Sequence, residues 1–560
     1  MKAKRLIRSL TCLGLSAAML FTAVGCNKEE EAKSANDTLV DSDTYEDGTA
    51  ISSRVSVHDP SIVVGEDPDG NKCYYIFGSH RAWAKSYDLM NWTSFTNNIN
   101  HEYRTMLADA FAWSANGDND YNPSGNMWAP DVIWNDTMNK WCMYLSINGS
   151  SWNSSIVLLT ADNLEGDWTY EGTVIYSGFN ADGVFSYTQT DYAEVTGDTD
   201  FSVGSKRYVM AEYVCEDEGT TWNTNYGAHA IDPCVVYDTE GNLYMSYGSW
   251  SGGIFMIELD ETTGLRDTTV TYENASDYST DAYMGIKLAG GLFATGEASY
   301  IQYDEEAGYY YLYVTYGGLT ADGGYNIRLF RSEDITGPYV DTDGTLATKA
   351  TSRADVGVKL FGNYCFSSFK DNGTLAVNGY KSGGHNSAFI DDDGNRYLIY
   401  HTRYNSGTEN HEVRVHQQFL NEDGWLVTAV YEYLGSEINE AGYTTGAIIG
   451  DYEMVNMGSD AATANVGMLT TYNITLNADG TVTGDYTGTW EEYEVDGKAY
   501  YASITINEIT YKGVFFKQYD ESASHTETMT FTCLSETGVN IWGSKVANSA
   551  DTVYETSTEE

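Results

Sequence analysis

The sequence predicts an all-β protein, in which a five-bladed β-propeller is followed by a small antiparallel β-barrel or sandwich. Three observations support this fold class. A phrase of paired strand-like runs recurs five times along the chain. The 560 residues include 46 Tyr and 55 Gly but only 6 Pro, a composition typical of β-strands joined by tight turns. Helical periodicity is almost absent after the N-terminal segment.

Each copy of the phrase opens with an acidic residue or a histidine, continues into a hydrophobic run and, after a turn, ends in a tyrosine-rich run. The opening residues are Asp59, Asp131, Asp232, Glu297 and His385. Repeated strand units favour a radial β architecture. Because a propeller brings equivalent positions of its blades close to one axis, we expect these five side chains to form one cluster. The strand-like runs include 73–77, 132–134, 206–213, 243–247, 309–316 and 396–401.

The first 26 residues are predicted to be a signal peptide. A basic start at residues 2–8 precedes an apolar stretch at 13–24 that is too short for a confident spanning helix. The small residues that lead to Cys26 resemble a bacterial lipoprotein signal, in which the cysteine is lipidated; an ordinary secretory signal is the alternative. Residues 27–49 are polar and acidic, and we expect a flexible tether there. The folded part is therefore expected outside the cell, anchored to its surface by lipid.

The chain after the tether is predicted to form two domains. Residues 50–450 contain the five copies of the phrase and form the propeller. Residues 451–555 lack the phrase and contain short strands with polar turns, among them the hairpin signal Asn477-Ala478-Asp479-Gly480. This C-terminal part is predicted to be the separate barrel or sandwich.

Charge and cysteine content exclude several classes of partner. The 81 acidic and 30 basic residues give a net charge of −51, which repels nucleic acid and anionic lipid but suits a neutral sugar or a cation. Contact with the membrane is therefore expected only through the N-terminal lipid, and we expect a monomer. Six cysteines remain after Cys12 and Cys26, and the sequence has no CxxC pair, which argues against a zinc or thiol-redox site.

Three of the repeated acids suit hydrolysis of a glycosidic bond, which needs two carboxyl groups in opposite protonation states. Asp59 and Asp232 each precede a proline, which fixes an extended entry into the following strand and holds the carboxylate in place. Glu297 follows Gly296, a residue that permits close approach of backbone or ligand, and its longer side chain reaches further into a cleft.

These motifs together resemble glycoside hydrolase family 43, and within it the endo-arabinanases. The resemblance covers about residues 50 to 450, and a softer likeness extends to the accessory barrel of the two-domain members. The matching segments are Val57-His58-Asp59-Pro60-Ser61-Ile62, Trp128-Ala129-Pro130-Asp131, Ala230-Ile231-Asp232-Pro233, Gly296-Glu297-Ala298-Ser299-Tyr300, Gly383-Gly384-His385-Asn386-Ser387, His401-Thr402-Arg403 and the run from His411 to Gln417.

The resemblance implies an inverting hydrolase of arabinan, the α-1,5-L-arabinofuranosyl polymer of plant pectin. It implies Asp59 as general base, Glu297 as general acid, and Asp232 as the residue that orients the acid and tunes its protonation. A carboxylate beside Glu297 should favour the protonated form of that acid by like-charge repulsion. Inversion further requires base and acid to lie roughly 6.5–9.5 Å apart, with space for water.

Four further residues are assigned by the same resemblance. Trp128 is expected to stack on sugar, with His58 and Asp131 as further substrate contacts; a hydrogen bond that anchors a blade is the alternative for Asp131. His385 is expected beside a central metal, calcium, which would be held through water molecules. A hydrogen-bonded core histidine is the ordinary interpretation, since calcium prefers oxygen ligands. His229 stands where relatives carry asparagine, which affects the subsite preference and not the reaction.

Two alternatives remain open at this stage. An exo-acting arabinofuranosidase or xylosidase would keep the fold and the reaction but needs a cleft closed at one end. The insert at about 178–222 is the expected wall of such a cleft. A surface glycan-binding lipoprotein without turnover is the other alternative, against which the three matched acids argue.

Overall fold

The computed structural model describes residues 53–149, 152–199, 201, 215–216, 221–293, 296–351, 355–369, 374–460 and 467–546. The predicted signal peptide, the tether and the strand-like run 206–213 lie outside the described residues. Within the described ranges, no helix has both the length and the apolar character that a membrane crossing requires.

Five antiparallel sheets form the blades of the propeller, and each is built from one continuous stretch of chain. Blade 1 contains β1 Ser61–Glu66, β2 Lys72–Gly78, β3 Ala82–Ser86 and β4 Thr93–Phe95. Blade 2 contains β5 Met127–Asn135, β6 Lys140–Ile147, β7 Ser155–Ala161 and β8 Thr169–Tyr176. A two-stranded ribbon follows, β9 Cys215–Glu216 and β10 Thr221–Trp222. The predicted five-bladed architecture is confirmed.

The remaining blades follow the same plan, except that blade 3 has a fifth strand. Blade 3 contains β11 Cys234–Tyr237, β12 Leu243–Tyr247, β13 Ile254–Leu259, β14 Thr280–Asp281 and β15 Gly285–Ala289, in the order β11-β12-β13-β15-β14. Blade 4 contains β16 Glu297–Asp304, β17 Tyr309–Tyr316, β18 Asn326–Ser332 and β19 Val358–Lys359. Blade 5 contains β20 Tyr380–Ile390, β21 Arg396–Tyr404, β22 His411–Leu420 and β23 Leu426–Thr428.

Four short helices occur in the described chain, although the sequence showed almost no helical periodicity. They are α1 Ile99–Met106, α2 Ala108–Ala115, α3 Tyr192–Thr196 and α4 Thr445–Ile448. The first two connect blades 1 and 2. The second carries the buried side chains of Phe111 and Trp113 into the core, so it lacks the polar face that would have given a clear period.

The innermost strands are joined to one another by side chains that cap backbone N–H groups. The Ser387 hydroxyl accepts a hydrogen bond from Ile62 N–H at 3.0 Å, which ties blade 5 to blade 1. An Asp131 oxygen accepts from Val235 N–H at 2.6 Å and ties blade 2 to blade 3. These bonds satisfy buried donors that would otherwise destabilise the centre of the ring, and they close it although no strand is shared between the two ends.

The C-terminal domain is a closed eight-stranded antiparallel barrel. Its strands are β24 Gly450–Asn456, β25 Thr471–Leu476, β26 Thr481–Gly484, β27 Gly488–Val495, β28 Lys498–Ile506, β29 Ile509–Tyr519, β30 Glu527–Ser535 and β31 Asn540–Lys545. Buried side chains such as Trp490, Phe515 and Phe531 fill its interior. Trp542 of the barrel packs against Phe361, with ring centroids 5.7 Å apart, and joins a core cluster shared with blades 4 and 5.

Candidate active site

A cavity of about 860 Å³ lies where the innermost strands of the blades begin, and all five blades contribute to its walls. The repeated phrase supplies Asp59 from blade 1, Trp128 from blade 2, Asp232 from blade 3, Glu297 from blade 4 and His385 from blade 5. Side chains remote in sequence are thus gathered at one point, as the repeat predicts.

The backbone shows which positions of the blades are equivalent. One residue near the start of each innermost strand has a positive φ, a conformation that L-residues other than glycine seldom adopt. These residues are Asp59 (φ 56°), Ala129 (φ 36°), Asp232 (φ 56°), Ala298 (φ 60°) and His385 (φ 49°). The kink turns the chain at the cavity floor, so a side chain on this residue or on the one before it is held in the cavity lining.

Asp131 therefore does not occupy the position that the repeat alignment gave it. Ala129, two residues earlier, is the equivalent of Asp59, and Asp131 aligns with the hydroxyl-bearing Ser61 in the layer below. Its side chain is 3% exposed and is absent from the cavity lining. One oxygen accepts from Ser61 Oγ at 2.5 Å and the other from Val235 N–H. The predicted substrate contact is wrong for this residue, and the alternative of a hydrogen bond that anchors a blade describes it.

Asp59 is buried at the cavity floor and is held by contacts on both carboxylate oxygens. Its Oδ2 accepts from Ser79 Oγ at 2.5 Å, and Ser79 in turn accepts from Ala129 N–H at 2.8 Å. Its Oδ1 lies 2.7 Å from His58 Nδ1 and 2.9 Å from His385 Nδ1. Burial by itself would raise the pKa of Asp59, but the adjacent His385 and His58 outweigh it and hold the pKa well below its usual value. Asp59 is therefore an ionised carboxylate.

Two of the histidines around Asp59, His385 and His401, differ in charge. His385 has its pKa raised to about 9, because the charge and hydrogen bond of Asp59 outweigh the effect of burial. His401 accepts a hydrogen bond on Nδ1 from Asp59 N–H at 3.2 Å, and burial followed by the charge of His58 holds its pKa well below normal. The rings of His58 and His401 stack at 3.9 Å between centroids. His401 is therefore a neutral support of the site, whereas His385 is the cationic partner of Asp59.

Glu297 is surrounded by three hydrogen-bond donors. Trp250 Nε1 and Ser249 Oγ donate to its Oε2 at 2.9 and 3.1 Å, and the Tyr325 hydroxyl donates to its Oε1 at 2.6 Å. Gly384 leaves room for Tyr325, since a Cβ there would lie 2.3 Å from the tyrosine ring. The carboxyl group of Glu297 is therefore fixed in orientation before any ligand arrives.

Asp232 is a buried carboxyl group in the same cavity and carries a proton at neutral pH. Burial, followed by the charges of Glu297 and Asp59, raises its pKa to about 8 despite the nearby His385. Its Oδ2 accepts weakly from Ala298 N–H at 3.4 Å, directly after Glu297. Sequence reasoning expected like-charge repulsion to favour the proton on Glu297. The structure shows that burial favours a proton on Asp232, an effect that the sequence could not reveal because it gives no information on burial.

The walls of the cavity are aromatic and uncharged near Trp128. The Trp128 indole donates to Gly125 O at 2.8 Å, which fixes its ring in the lining. On the other side, Trp152 packs edge-on against His229 at 5.0 Å between centroids. Burial lowers the pKa of His229 to about 3, so this ring is neutral and pairs with Ser154 Oγ at 2.7 Å. No residue of the described part of the insert at 178–222 lines the cavity.

Calcium is expected beside His385, where the neighbouring donors are mostly histidine nitrogens. His58, Asp59 and His401 can each place one ligand atom within 4.8 Å of the others, and His385 contacts the same Asp59 oxygen. Calcium takes roughly six to eight oxygen ligands, whereas this set consists of imidazoles around a single carboxylate. The described side chains do not form a calcium site by themselves.

Several residues of the site were missed by sequence reasoning, and two had a visible signal. The phrase ends in Gly-Ser in the first and third copies, and these serines, Ser79 and Ser249, contact Asp59 and Glu297. Tyr325 and Trp250 stand in connecting loops outside the phrase, so only the folded chain brings them to Glu297.

A propeller whose axis gathers an ionised carboxylate, a protonated carboxyl group and a third acid fixed by donors defines an enzyme of the glycoside hydrolase class. Comparisons with known proteins agree. Residues 214–426 match the family described as "Glycosyl hydrolases family 43", and residues 430–543 match its "C-terminal lipocalin-like domain".

Similar proteins cover nearly the whole chain. An extracellular endo-α-(1→5)-L-arabinanase 2 of Bacillus subtilis (strain 168) is 35% identical over 512 residues, 88% of this chain and 94% of that protein. The solved endo-1,5-α-L-arabinanase of Thermotoga petrophila RKU-1 has a TM-score of 0.72 and 32% identity, and the match covers 89% of this chain and 100% of that one. A solved family 43 glycoside hydrolase of Bacillus licheniformis has a TM-score of 0.71 and 35% identity, with coverage of 89% and 100%. The chain belongs to glycosyl hydrolase family 43.

Proposed function

We propose that this protein is an extracellular endo-α-1,5-L-arabinanase that cleaves internal bonds of arabinan with inversion of configuration. The observation that carries the proposal is the convergence of Asp59, Asp232 and Glu297, from three blades, in one cavity of about 860 Å³. The substrate class is supported by the relatives of similar length from Bacillus subtilis and Thermotoga petrophila, both named as extracellular endo-arabinanases.

Asp59 acts as the general base. Its ionised state lets it accept a proton from the water that attacks the anomeric carbon. Since Ser79 receives a hydrogen bond from Ala129 N–H, its own hydroxyl proton points to Asp59 Oδ2 and holds the carboxylate still. The charge of His385 offsets that of Asp59 in the buried floor, so an ionised base costs less there than an isolated carboxylate would.

Glu297 acts as the general acid and protonates the leaving sugar oxygen. The Trp250 indole can only donate, so Oε2 remains an acceptor and the transferable proton is better placed on Oε1. The Tyr325 hydroxyl both donates and accepts, and it can therefore contact Oε1 before and after proton transfer. We propose that Asp232, whose Oδ2 accepts from Ala298 N–H directly after Glu297, orients this acid and tunes its protonation.

The remaining contacts follow from the lining. Trp128 provides an aromatic face for a sugar ring, and His58 lies at the floor beside Asp59. Calcium beside His385 remains a proposal that the family resemblance supports, with water supplying the oxygen ligands that the protein lacks. Metal analysis of the purified protein, with activity measured after chelation, tests it. Full activity in metal-free protein would remove calcium from the proposal.

The N-terminal sequence supports attachment to the cell surface by lipid on Cys26. Mass spectrometry of membrane-bound protein should show a diacylglyceryl group on that residue, and Cys26→Ala should release the protein to the medium. Release of the unaltered protein would limit the proposal to secretion. We further propose a monomer, which light scattering tests directly.

The endo mode is tested with debranched arabinan. An endo-acting enzyme lowers viscosity steeply while few reducing ends appear, whereas an exo-acting arabinofuranosidase releases sugar with little early loss of viscosity. Proton NMR of fresh product should first show the inverted anomer. Prompt appearance of the retained anomer would contradict attack by water activated at Asp59.

The acid is tested with Glu297→Gln, which keeps the shape and the acceptor oxygen but cannot protonate a leaving group. We expect kcat to fall by about 10²- to 10⁴-fold while arabino-oligosaccharide still binds. Glu240→Gln, in the exposed turn between β11 and β12, is the matched control and should leave kcat unchanged. If Glu297→Gln retained full activity, another residue would be the acid; if the parent protein bound arabinan without cleaving it, a glycan-binding function would replace the proposal.

A further inference from the structure

A second cavity, of about 630 Å³, lies on the outer part of blade 3 against the loops of blade 4. We call it the outer pocket and define it by Tyr226, Tyr278, Lys287, Leu292, Tyr339 and Lys349, which are among its lining residues. None of the residues assigned to catalysis lines it.

The outer pocket has an aromatic wall that suits a sugar. The rings of Tyr226 and Tyr278 lie 4.6 Å apart at 38°, and Tyr278 is 36% exposed. Tyr278 has a positive φ of 61°, so its backbone is held in an unfavourable conformation that presents the ring outward. Tyrosines that expose part of a ring beside polar groups are typical of carbohydrate contacts, because the ring face covers apolar C–H groups of the sugar.

Lys287 places a positive charge in the same pocket without an acidic partner. No described carboxylate forms an ion pair with it, and burial alone lowers its pKa to about 8, so most of the lysine is charged at neutral pH. The ammonium group lies under the 290–292 loop, where a Cβ on Gly291 would come within 2.1 Å of Nζ. The carboxylate of Asp277, also in the pocket, is already engaged by the hydroxyl and N–H of Ser279 at 2.7 and 3.2 Å. In a chain of net charge −51, a half-buried lysine without a counter-ion is unusual and suits an anionic ligand.

The outer pocket is joined to the catalytic cavity by an exposed apolar ridge. Leu292 lines the outer pocket, and the next residue, Phe293, packs edge-on against Trp152 of the catalytic cavity at 5.6 Å. Both ridge residues are 46% exposed and have positive φ values of 56° and 57°. A polysaccharide that leaves the catalytic cavity over Phe293 therefore reaches the outer pocket directly.

We propose that the outer pocket binds an acidic sugar, a uronate residue, whose carboxylate contacts Lys287 and whose ring stacks on Tyr278. The choice of a sugar rests on the proposed function, whereas the choice of an anion rests on Lys287 alone. The pocket would hold an acidic portion of a branched cell-wall polysaccharide while a neutral side chain occupies the catalytic cavity, which raises the local concentration of cleavable bonds.

The test is a titration of the full chain with trigalacturonate, monitored by calorimetry at low salt, with arabinotriose as the neutral comparison. We expect Lys287→Met to weaken trigalacturonate binding by about 10- to 100-fold, the loss that a hydrogen bond to a charged group predicts. Lys287→Arg should restore part of it. Lys140→Met, an exposed lysine paired with Asp162 in blade 2, is the control for removal of one charge and should change nothing. Tyr278→Ala should weaken binding without altering its salt dependence.

Each result decides between the alternatives. Trigalacturonate binding that is equal in Lys287→Met and the parent, or absent at millimolar concentration, would overturn the inference. So would arabinotriose binding that depends on Lys287, since the pocket would then be a subsite for neutral sugar. A parent protein that binds trigalacturonate through Lys287 but does not hydrolyse arabinan would refute the proposed function and leave the acidic-sugar site standing.

Discussion

Substitution of Asp131 tests whether this residue contacts the substrate or supports the packing between blades. Its residue type and motif predict a substrate contact, whereas its buried hydrogen bonds indicate a support between blades. We consider Asp131→Asn. The asparagine oxygen can accept from Val235 N–H as the aspartate does, and its NH₂ group can donate to Ser61 Oγ, because a hydroxyl accepts as readily as it donates. Both hydrogen bonds are kept and only the charge is lost.

The magnitude follows from the protonation of the buried group. Burial raises the pKa of Asp131 from 3.8 to about 6, a cause only partly offset by the hydrogen bonds from Ser61 and Val235. A folded-state pKa above the unfolded value gives a stability contribution that is full below pH 3.8 and is lost as pH rises through 6. At about 1.4 kcal/mol per pKa unit, the loss is about 3 kcal/mol. Asp131→Asn has no such loss, so its free energy of unfolding relative to the parent should rise by about 3 kcal/mol between pH 3 and pH 8.

The assay is urea unfolding of both proteins at several pH values, with kcat and KM for arabinan measured beside it. Neither kinetic constant should change by more than about twofold, because Asp131 does not reach the cavity. Asp131→Ala is the contrasting variant: it leaves the Val235 N–H and the Ser61 hydroxyl unpaired and should cost about 2–6 kcal/mol. A stability difference that does not change with pH would refute the electrostatic argument. A tenfold rise in KM for Asp131→Asn would show that Asp131 contacts the substrate.

Three further predictions concern the acid, the aromatic wall and the contact between domains. Tyr325→Phe removes the donor to Glu297 Oε1 and should lower kcat by about 10- to 100-fold, with a shift of the alkaline limb of the pH–rate profile; an unchanged profile would make Tyr325 merely structural. Trp128→Ala should raise KM by about tenfold and leave kcat nearly constant, whereas an equal fall in both kcat and kcat/KM would place the indole at the transition state. Burial and the charge of Glu432 raise the pKa of Glu521 to about 7. The stability that this group contributes is therefore lost as pH rises through 7. Glu521→Gln should unfold at a higher temperature than the parent at pH 8 but not at pH 5. An equal shift of the unfolding temperature at both pH values would refute the electrostatic role of Glu521.

The fold class could be predicted from the sequence because a repeated strand pair specifies it. Five copies of one strand pair, each with the same alternation and turns, leave few architectures other than a radial one. The three acids proposed for catalysis stand out in the sequence for the same reason, since Asp59 and Asp232 each occupy the kinked residue of a blade and Glu297 directly precedes one. Of the two short helices between blades 1 and 2, α2 was missed because it is apolar along most of its length and shows no clear period.

The error at Asp131 shows the limit of the same reasoning. Two acids in similar motifs look equivalent in sequence, but a shift of two residues along a strand moves a side chain one layer down the axis while it keeps the same face. Register of that kind is set by the pairing of Asp131 with Tyr144 across the bulge that begins at Trp128. No local pattern of residue types contains that information.

The sequence by itself determined the number of blades and predicted three candidate acids and the kind of bond they would cleave, because these depend on residue types repeated in a fixed order. Only the tertiary structure decided the charge states of Asp59 and Asp232, the donors that hold Glu297, and the layer in which Asp131 lies. The physical reason is that burial and hydrogen bonding between remote loops set these properties, and their energies depend on distances of a few ångströms that the order of residues along the chain does not specify.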